Sequence, residues 1–312
     1  MSHPDNEVPD PPEPVESPEP VESPVPTDPT WPELPIYDPS ESEGESEEDE
    51  GDGDDFDLDT EDEEDALEDE IRSVLITGAS GNLGKKLRAA WGDAYDLLLI
   101  DAEPGDDPEV VQADLAEWSE SWVGLFEGVD TVIHLAANPS EHASWESLVR
   151  PNLAAMCNVF HAAALAGVER LIFASSNHAM GGYREFGDMP ITVDLPPRPG
   201  NPYGAAKLFG ERLGRSFAHA FQISVVALRL GWVQEGANLP ETLPDDWSRS
   251  LWLSDADMIR LFDRAVEAEL DPGQFVLVNG MSDNDGMRWD LSAASETLAF
   301  EPEDDAYAAT EE

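Results

Sequence analysis

The sequence is short of positive charge: 16 Lys and Arg stand against 69 Asp and Glu in 312 residues, a formal net charge of −53. Nucleic acid and anionic membrane surfaces are gripped by Lys and Arg patches, so neither is expected as a partner. Cysteine is nearly absent. The single Cys157 excludes an internal disulfide. Within the helical-looking "NLAAMCNVFHAA" it reads as a small core residue, with no local base to make it a nucleophile. Six His lack the paired spacing of metal ligands, and "SDNDG" (282–286) lacks the later bidentate acid of a calcium loop and reads as a turn, so no metal is expected. No apolar run reaches the roughly 18 residues of a membrane span, and the first residues show no basic, apolar, small-residue progression. A cytoplasmic location is the expectation.

The acids are unevenly spread. Residues 1–70 hold 30 of them with no Lys or Arg, many prolines and a tandem "PEPVESPEPVES". Such a segment cannot bury enough apolar surface to offset its chain entropy, and it is expected to be a disordered tail serving solubility and spacing. Residues 71–312 are rich in Val, Ile, Leu, Ala and Trp and suffice for one core. Their 39 acids against 16 bases still repel one another. Molar salt shrinks the Debye length to about 3 Å and screens that repulsion, so the composition reads as halophilic.

Within 71–312, short apolar runs alternate with longer amphipathic stretches, the pattern of a parallel α/β sheet. Strands are expected at 73–77, 97–101, 131–136, 170–175, 223–230 and 275–279, with 110–114 a weaker seventh. The stretches 81–91, 148–167, 201–220 and 253–270 read as helices, the last capped by Ser254 or Asp255. Right-handed crossovers then give a Rossmann-like, doubly wound sheet with a small C-terminal substrate-binding portion (177–202 and 231–312). Ligands collect at the carboxyl ends of its strands.

"VLITGASGNLGKKL" is a strand, a glycine turn and a helix start. Gly78, Gly81 and Gly84 let backbone approach a pyrophosphate resting on the helix N-terminus, with Ser80, Asn82 and Leu83 in the same cradle. Asp101 ends the next strand about 20 residues on, where a carboxylate accepts from both ribose hydroxyls and repels a 2′-phosphate, favouring NAD. Asp114 and Leu115, then Leu135, Ala136 and Ala137, end the following strands, at positions that reach adenine and the nicotinamide ribose.

"NPYGAAKLFGE" sets Tyr203 and Lys207 four apart, on one helix face. A neighbouring ammonium stabilises phenolate, so Tyr203 is expected to be a general base with a lowered pKa. Lys207 also reaches the nicotinamide ribose, and Ser176 holds the substrate oxygen.

Together, "TGASGNLGKKLR", "VIHLAA", "FASSNHAMGGY", "NPYGAAKLFGE", "LWLSDADMIRLF" and "GMSDNDGMRWDLS" resemble the extended short-chain dehydrogenase/reductases of the NAD-dependent epimerase/dehydratase group. "SSNH" and "WLS" are similar to uronate dehydrogenases and the sugar dehydrogenases of halophilic archaea. The resemblance implies NAD-dependent oxidation of a sugar at C1 to its lactone. It puts Ser176, Tyr203 and Lys207 on catalytic positions and Asn177 and His178 on substrate-contacting ones. Two positions depart from the uronate pattern. Trp232 stands where a polar residue follows the glycine after the sixth strand, and the carboxylate-clamping Arg falls on or near Trp247, with Arg249 two residues away as the substitute. Uronate, neutral aldose and sugar phosphate therefore stay open, as does homo-oligomer formation. The alternatives are a nucleotide-sugar epimerase or dehydratase, disfavoured by the roughly 80 residues after the sixth strand and by Asn177 in place of an acid, and a non-catalytic NAD-binding protein.

Overall fold

Apolar runs without alternation mark strands buried on both faces, and seven of them form the sheet. The computed structural model describes residues 71–308; the acidic tail at 1–70 lies outside the described residues. The strands are β1 (Ser73–Thr77), β2 (Asp96–Asp101), β3 (Val110–Gln112), β4 (Thr131–His134), β5 (Arg170–Ser176), β6 (Ser224–Leu230) and β7 (Phe275–Gly280). All neighbours are parallel, in the order β3-β2-β1-β4-β5-β6-β7. The order reverses between β1 and β4. Crossovers leave opposite faces there, so their loops part and open a crevice at the strand ends.

Helices cover both faces: α1 (Asn82–Trp91), α2 (Glu120–Val123), α3 (Trp145–Leu148), α4 (Ala155–Ala166), α5 (Pro202–Phe221), α6 (Asp246–Ser250), α7 (Asp255–Glu267) and α8 (Ser292–Leu298). Strand side chains alternate between two cores. Val74, Ile76, Val226 and Leu228 pack with Leu87 of α1 and Leu261 and Phe262 of α7. Leu75, Val225 and Ala227 pack with Val159 and Phe160 of α4 and Phe217 of α5. Each such aliphatic side chain, once buried, contributes about 1.5–3 kcal/mol. A third cluster of Met180, Tyr183, Ile191, Leu251, Met281 and Trp289 gathers the segments between β5 and α5, between β6 and α7, and after β7. That cluster supports the wall opposite the glycine turn.

The helix expected over 148–167 is a π-helical turn, Val149–Ala154, running into α4. Pro151 lies within it, and a proline lacks the N–H that a regular turn would use. The wider turn brings buried Asn152 against the loop after β4: Asn138 N donates to Asn152 Oδ1 (2.8 Å) and Asn152 Nδ2 donates to Asn138 O (3.0 Å). The Ser254 cap is present, its side chain accepting from Asp257 N. No described helix is long and apolar enough to cross a membrane.

Candidate active site

The loop after β1 runs straight into α1, and two features open it to an anion. No side chain caps α1 at Gly81, so the amides of Asn82, Leu83 and Gly84 lack intrahelical partners. Gly78 has φ +75°, and a Cβ there would lie 2.7 Å from Ala136 N, so only glycine lets the turn pass the end of β4. Asp101, at the end of β2, accepts from Ser80 N (2.9 Å) through Oδ2 and from Glu103 N (2.9 Å) through Oδ1. These bonds aim the carboxylate over the turn. A hollow of about 420 Å³ follows, bordered by Ser80, Asp101, Asp114, Leu115 and Ala136. Exposed Asp114 is partly committed: it pairs with Arg150 (2.7 Å) and accepts from Ala116 N (3.0 Å), and the Arg150 bond holds its carboxyl below the usual range.

The hollow shares Gly78, Gly81, Leu135 and Ala137 with a larger cleft of about 570 Å³ that contains Ser176, Tyr203 and Lys207. Asn201 caps α5, accepting from Gly204 N (2.8 Å), and Pro202 fits the first turn. A Cβ on Gly204 would come within 2.2 Å of His178 O. Glycine therefore lets α5 press against the end of β5, which sets Tyr203 beside Ser176 and His178. Tyr203, Lys207 and Glu211 recur every four residues, forming a polar stripe on the face of α5 that packs on the sheet.

Burial is the main influence on these groups. It pushes Tyr203 up to about 12, opposed by a hydrogen bond with Ser176, and pulls Lys207 down to about 8. The lowered phenol expected from the sequence is thus not the resting condition; desolvation by the cleft wall outweighs the hydrogen bond with Ser176. Lys207 Nζ lies 5.1 Å from the Phe173 ring centroid and 5.6 Å from that of Tyr203, with no hydrogen bond or ion pair among the described residues. A buried ammonium without an acceptor fits a partner brought by a bound molecule, such as a pair of ribose hydroxyls. Beneath it, His134 shares a hydrogen bond with Thr77 Oγ1 (2.8 Å), and burial lowers its pKa to about 3, so it stays neutral.

The remaining expected positions divide. His178 lines the cleft. Asn201 Nδ2 meets its Nδ1 at 3.1 Å, and because Asn201 Oδ1 is used in the cap, this nitrogen must donate. The neutral ring then carries its proton on Nε2, 3.8 Å from Glu141. Burial lowers its pKa, with Glu141 opposing. Asn177 lines the cleft too; one of its two Nδ2 hydrogens is committed to Leu230 O (3.0 Å), leaving the other and the carbonyl oxygen. Trp232 and Trp247 are both in the wall. Arg249 is not in that wall; its guanidinium lies 5.9 Å from the ring of Tyr307. Besides Lys207, the cation that lines the cleft is Arg184, which sequence reasoning missed. Asn82 Nδ2 donates to Val233 O (3.0 Å) and Lys86 Nζ to Gln234 O (2.9 Å), tying the glycine turn to the wall that holds Trp232.

A glycine turn on an open helix N-terminus, an acid at the end of β2 and a buried Ser, Tyr and Lys at the switch point define a dinucleotide-dependent oxidoreductase site. The chain belongs to the NAD-dependent epimerase/dehydratase family, which it matches over residues 74–238, and NAD is the cofactor. It is 35% identical over 256 residues to the NAD-dependent glucose-6-phosphate dehydrogenase of Haloferax volcanii, spanning 75% of this chain and 94% of that one. It is 37% identical over 240 residues to the uronate dehydrogenase of Pseudomonas putida, spanning 74% and 84%. Among solved structures, it is similar to a mutant uronate dehydrogenase from Agrobacterium tumefaciens complexed with NAD, with TM-score 0.67 and 30% identity, covering 76% of this chain and 87% of that one.

Proposed function

We propose that this protein is an NAD-dependent sugar dehydrogenase that oxidises C1 of a cyclic sugar to the lactone in a salt-rich cytoplasm. The observation that carries the reading is the meeting of Ser176, Tyr203 and Lys207 in one cleft, directly beside the glycine turn. Its relatives named for glucose 6-phosphate and uronate oxidation support it.

In this reading Gly78, Ser80, Gly81, Asn82, Leu83 and Gly84 hold the pyrophosphate and Asp101 the adenosine ribose. Leu115, Leu135, Ala136 and Ala137 line the path between them. Bound NAD supplies the hydride acceptor. Ser176 Oγ fixes the C1 hydroxyl oxygen by a hydrogen bond, Tyr203 as the phenolate takes its proton and becomes the neutral phenol, and the Lys207 ammonium stabilises that phenolate before the transfer. His178 Nε2–H and the Asn177 carbonyl orient the ring hydroxyls. One proton and one hydride leave C1–OH, and a carbonyl remains. The test is NADH formation in molar KCl with glucuronate, galacturonate, glucose 6-phosphate, arabinose, galactose and glucose; no turnover with any of them removes the proposal.

Lys207 at about 8 and Tyr203 at about 12 lose their first shared proton near pH 8. The form that accepts the sugar's proton is the one already deprotonated, so kcat/KM for oxidation should rise through about pH 8 and then level. A profile that is flat or falling from about pH 6 to 9 would remove the pair as the base. Stability moves the same way. Lys207 binds its proton less well folded than at its ordinary 10.5, so its contribution to stability grows as pH rises from about 8 toward that value.

Asp101→Ala removes the ribose acceptor and the charge that repels a 2′-phosphate. KM for NAD should rise about tenfold while KM for NADP falls. Unchanged values for both cofactors would place the ribose elsewhere.

A further inference from the structure

The cleft wall carries one cation besides Lys207, the guanidinium of Arg184. Ser176 begins and Arg184 ends the short 3-10 segment Asn177–Tyr183. At about 2 Å per residue this run is about 14 Å long. Ser176 and Arg184 are therefore the two ends of one element, and both line the same cleft.

The backbone at the rim is pinned. Arg184 N–H donates to Gly181 O (3.2 Å), Arg288 Nη2 donates to Tyr183 O (3.1 Å), and Tyr183 Oη donates to Pro196 O (2.8 Å). Arg184 itself has one side-chain partner, Asp245, across the mouth: Nη2 to Oδ2 is 2.5 Å. Its Nε and Nη1 donors have no protein acceptor among the described residues. The other oxygen of Asp245 is occupied, accepting from Ser248 N (2.8 Å) and Ser248 Oγ (2.6 Å) to cap α6. Both side chains of the pair are about half exposed, 50% and 43%, so solvent weakens the pair and it yields readily to a competing anion. The acid lining the cleft, Glu141, lies 3.8 Å from each of two imidazoles, His178 and His142.

We propose that Arg184 is the specificity-determining residue for the far end of the sugar: its unused donors bind a carboxylate or phosphate, and Asp245 competes with that anion for the guanidinium. The proposal rests on the sugar-oxidising reading and narrows it to anionic sugars.

Steady-state kinetics of the full chain with NAD, at one fixed salt concentration, test it with glucose, glucuronate and glucose 6-phosphate. The two acids distinguish carboxylate from phosphate, and glucose is the uncharged reference. Wild type should prefer at least one acid to glucose. Arg184→Met should lower the ratio of kcat/KM for that acid over glucose by about tenfold or more, mainly through KM, and Arg184→Lys should restore part of it. Asp245→Asn keeps the Oδ1 cap of α6 while removing the competing charge, and should move the ratio several-fold the other way. The proposal is overturned if wild type prefers glucose to both acids, or if Arg184→Met stays within about twofold of the wild-type ratio. Absence of turnover with all three sugars and the wider panel removes the sugar-oxidising reading, and this proposal with it.

Discussion

Tyr203→Phe is expected to lower kcat for sugar oxidation by about 100- to 10,000-fold, the range a positioned general base supplies, while the Kd for NAD is unchanged. The substitution deletes a single oxygen. The ring keeps its place between His178, 5.6 Å away edge to face, and Lys207. Nothing else in α5 depends on that oxygen: the helix starts from the Asn201 cap and the Gly204 contact with His178. Stopped assays for kcat, with a fluorescence titration for NAD, separate chemistry from binding. Retained turnover would take the proton-accepting role away from Tyr203. Loss of NAD binding would instead make the phenol a determinant of the cofactor pocket.

Glu211→Ala should destabilise the fold by about 3–5 kcal/mol, out of a total of about 5–15 for a domain. Glu211 is on α5 two turns beyond Tyr203, and its carboxylate lies under the end of the sheet. It accepts from Arg229 Nε and Nη2, both at 2.8 Å, and from Ser175 Oγ at 2.7 Å. The side chains of Arg229 and Glu211 are 0% and 3% exposed. Removing the acid strands a guanidinium that already has one buried, unpartnered nitrogen, Nη1. Urea unfolding in molar KCl should show a lower midpoint with unchanged slope. A loss below about 1 kcal/mol, the range of an exposed pair, would mean that the arginine finds water or another acceptor. Ser175 immediately precedes Ser176, so the same acid steadies the strand end from which the Ser176 hydroxyl projects.

All seven strands lie within two residues of their expected bounds because a sheet covered on both faces writes most strands as unbroken apolar runs. β3 is the weak one for a physical reason: at the sheet's edge only Val110 is buried, while Val111 and Gln112 face solvent. The π-helical turn was not legible, since its apolar spacing differs from that of an α-helix by one residue in a single turn. The site was legible where local order makes it so. A glycine turn between strand and helix, an acid at the next strand end and a Tyr and Lys one turn apart are all short-range patterns. Arg184 was not, because its setting depends on Asp245, 61 residues away, and on the fold that brings Arg184 to the cleft. Arg249 was favoured by closeness in sequence to Trp247, yet it points toward Tyr307. The sign at Tyr203 went astray for a related reason: the spacing to Lys207 is visible in the sequence, whereas the loss of solvent around the phenol is not.

The Glu211–Arg229 pair divides the molecule into two electrostatic regimes. Dissolved ions screen charges they can approach, so the exposed bonds of Arg150 to Asp114 and of Arg184 to Asp245 weaken as ionic strength rises. They cannot enter between two groups that solvent does not reach. A rise in salt therefore relieves the crowding of acids on the outside and loosens the rim of the cleft, while the charges beneath the reacting groups keep their strength. The rim adjusts to the medium, and the floor does not.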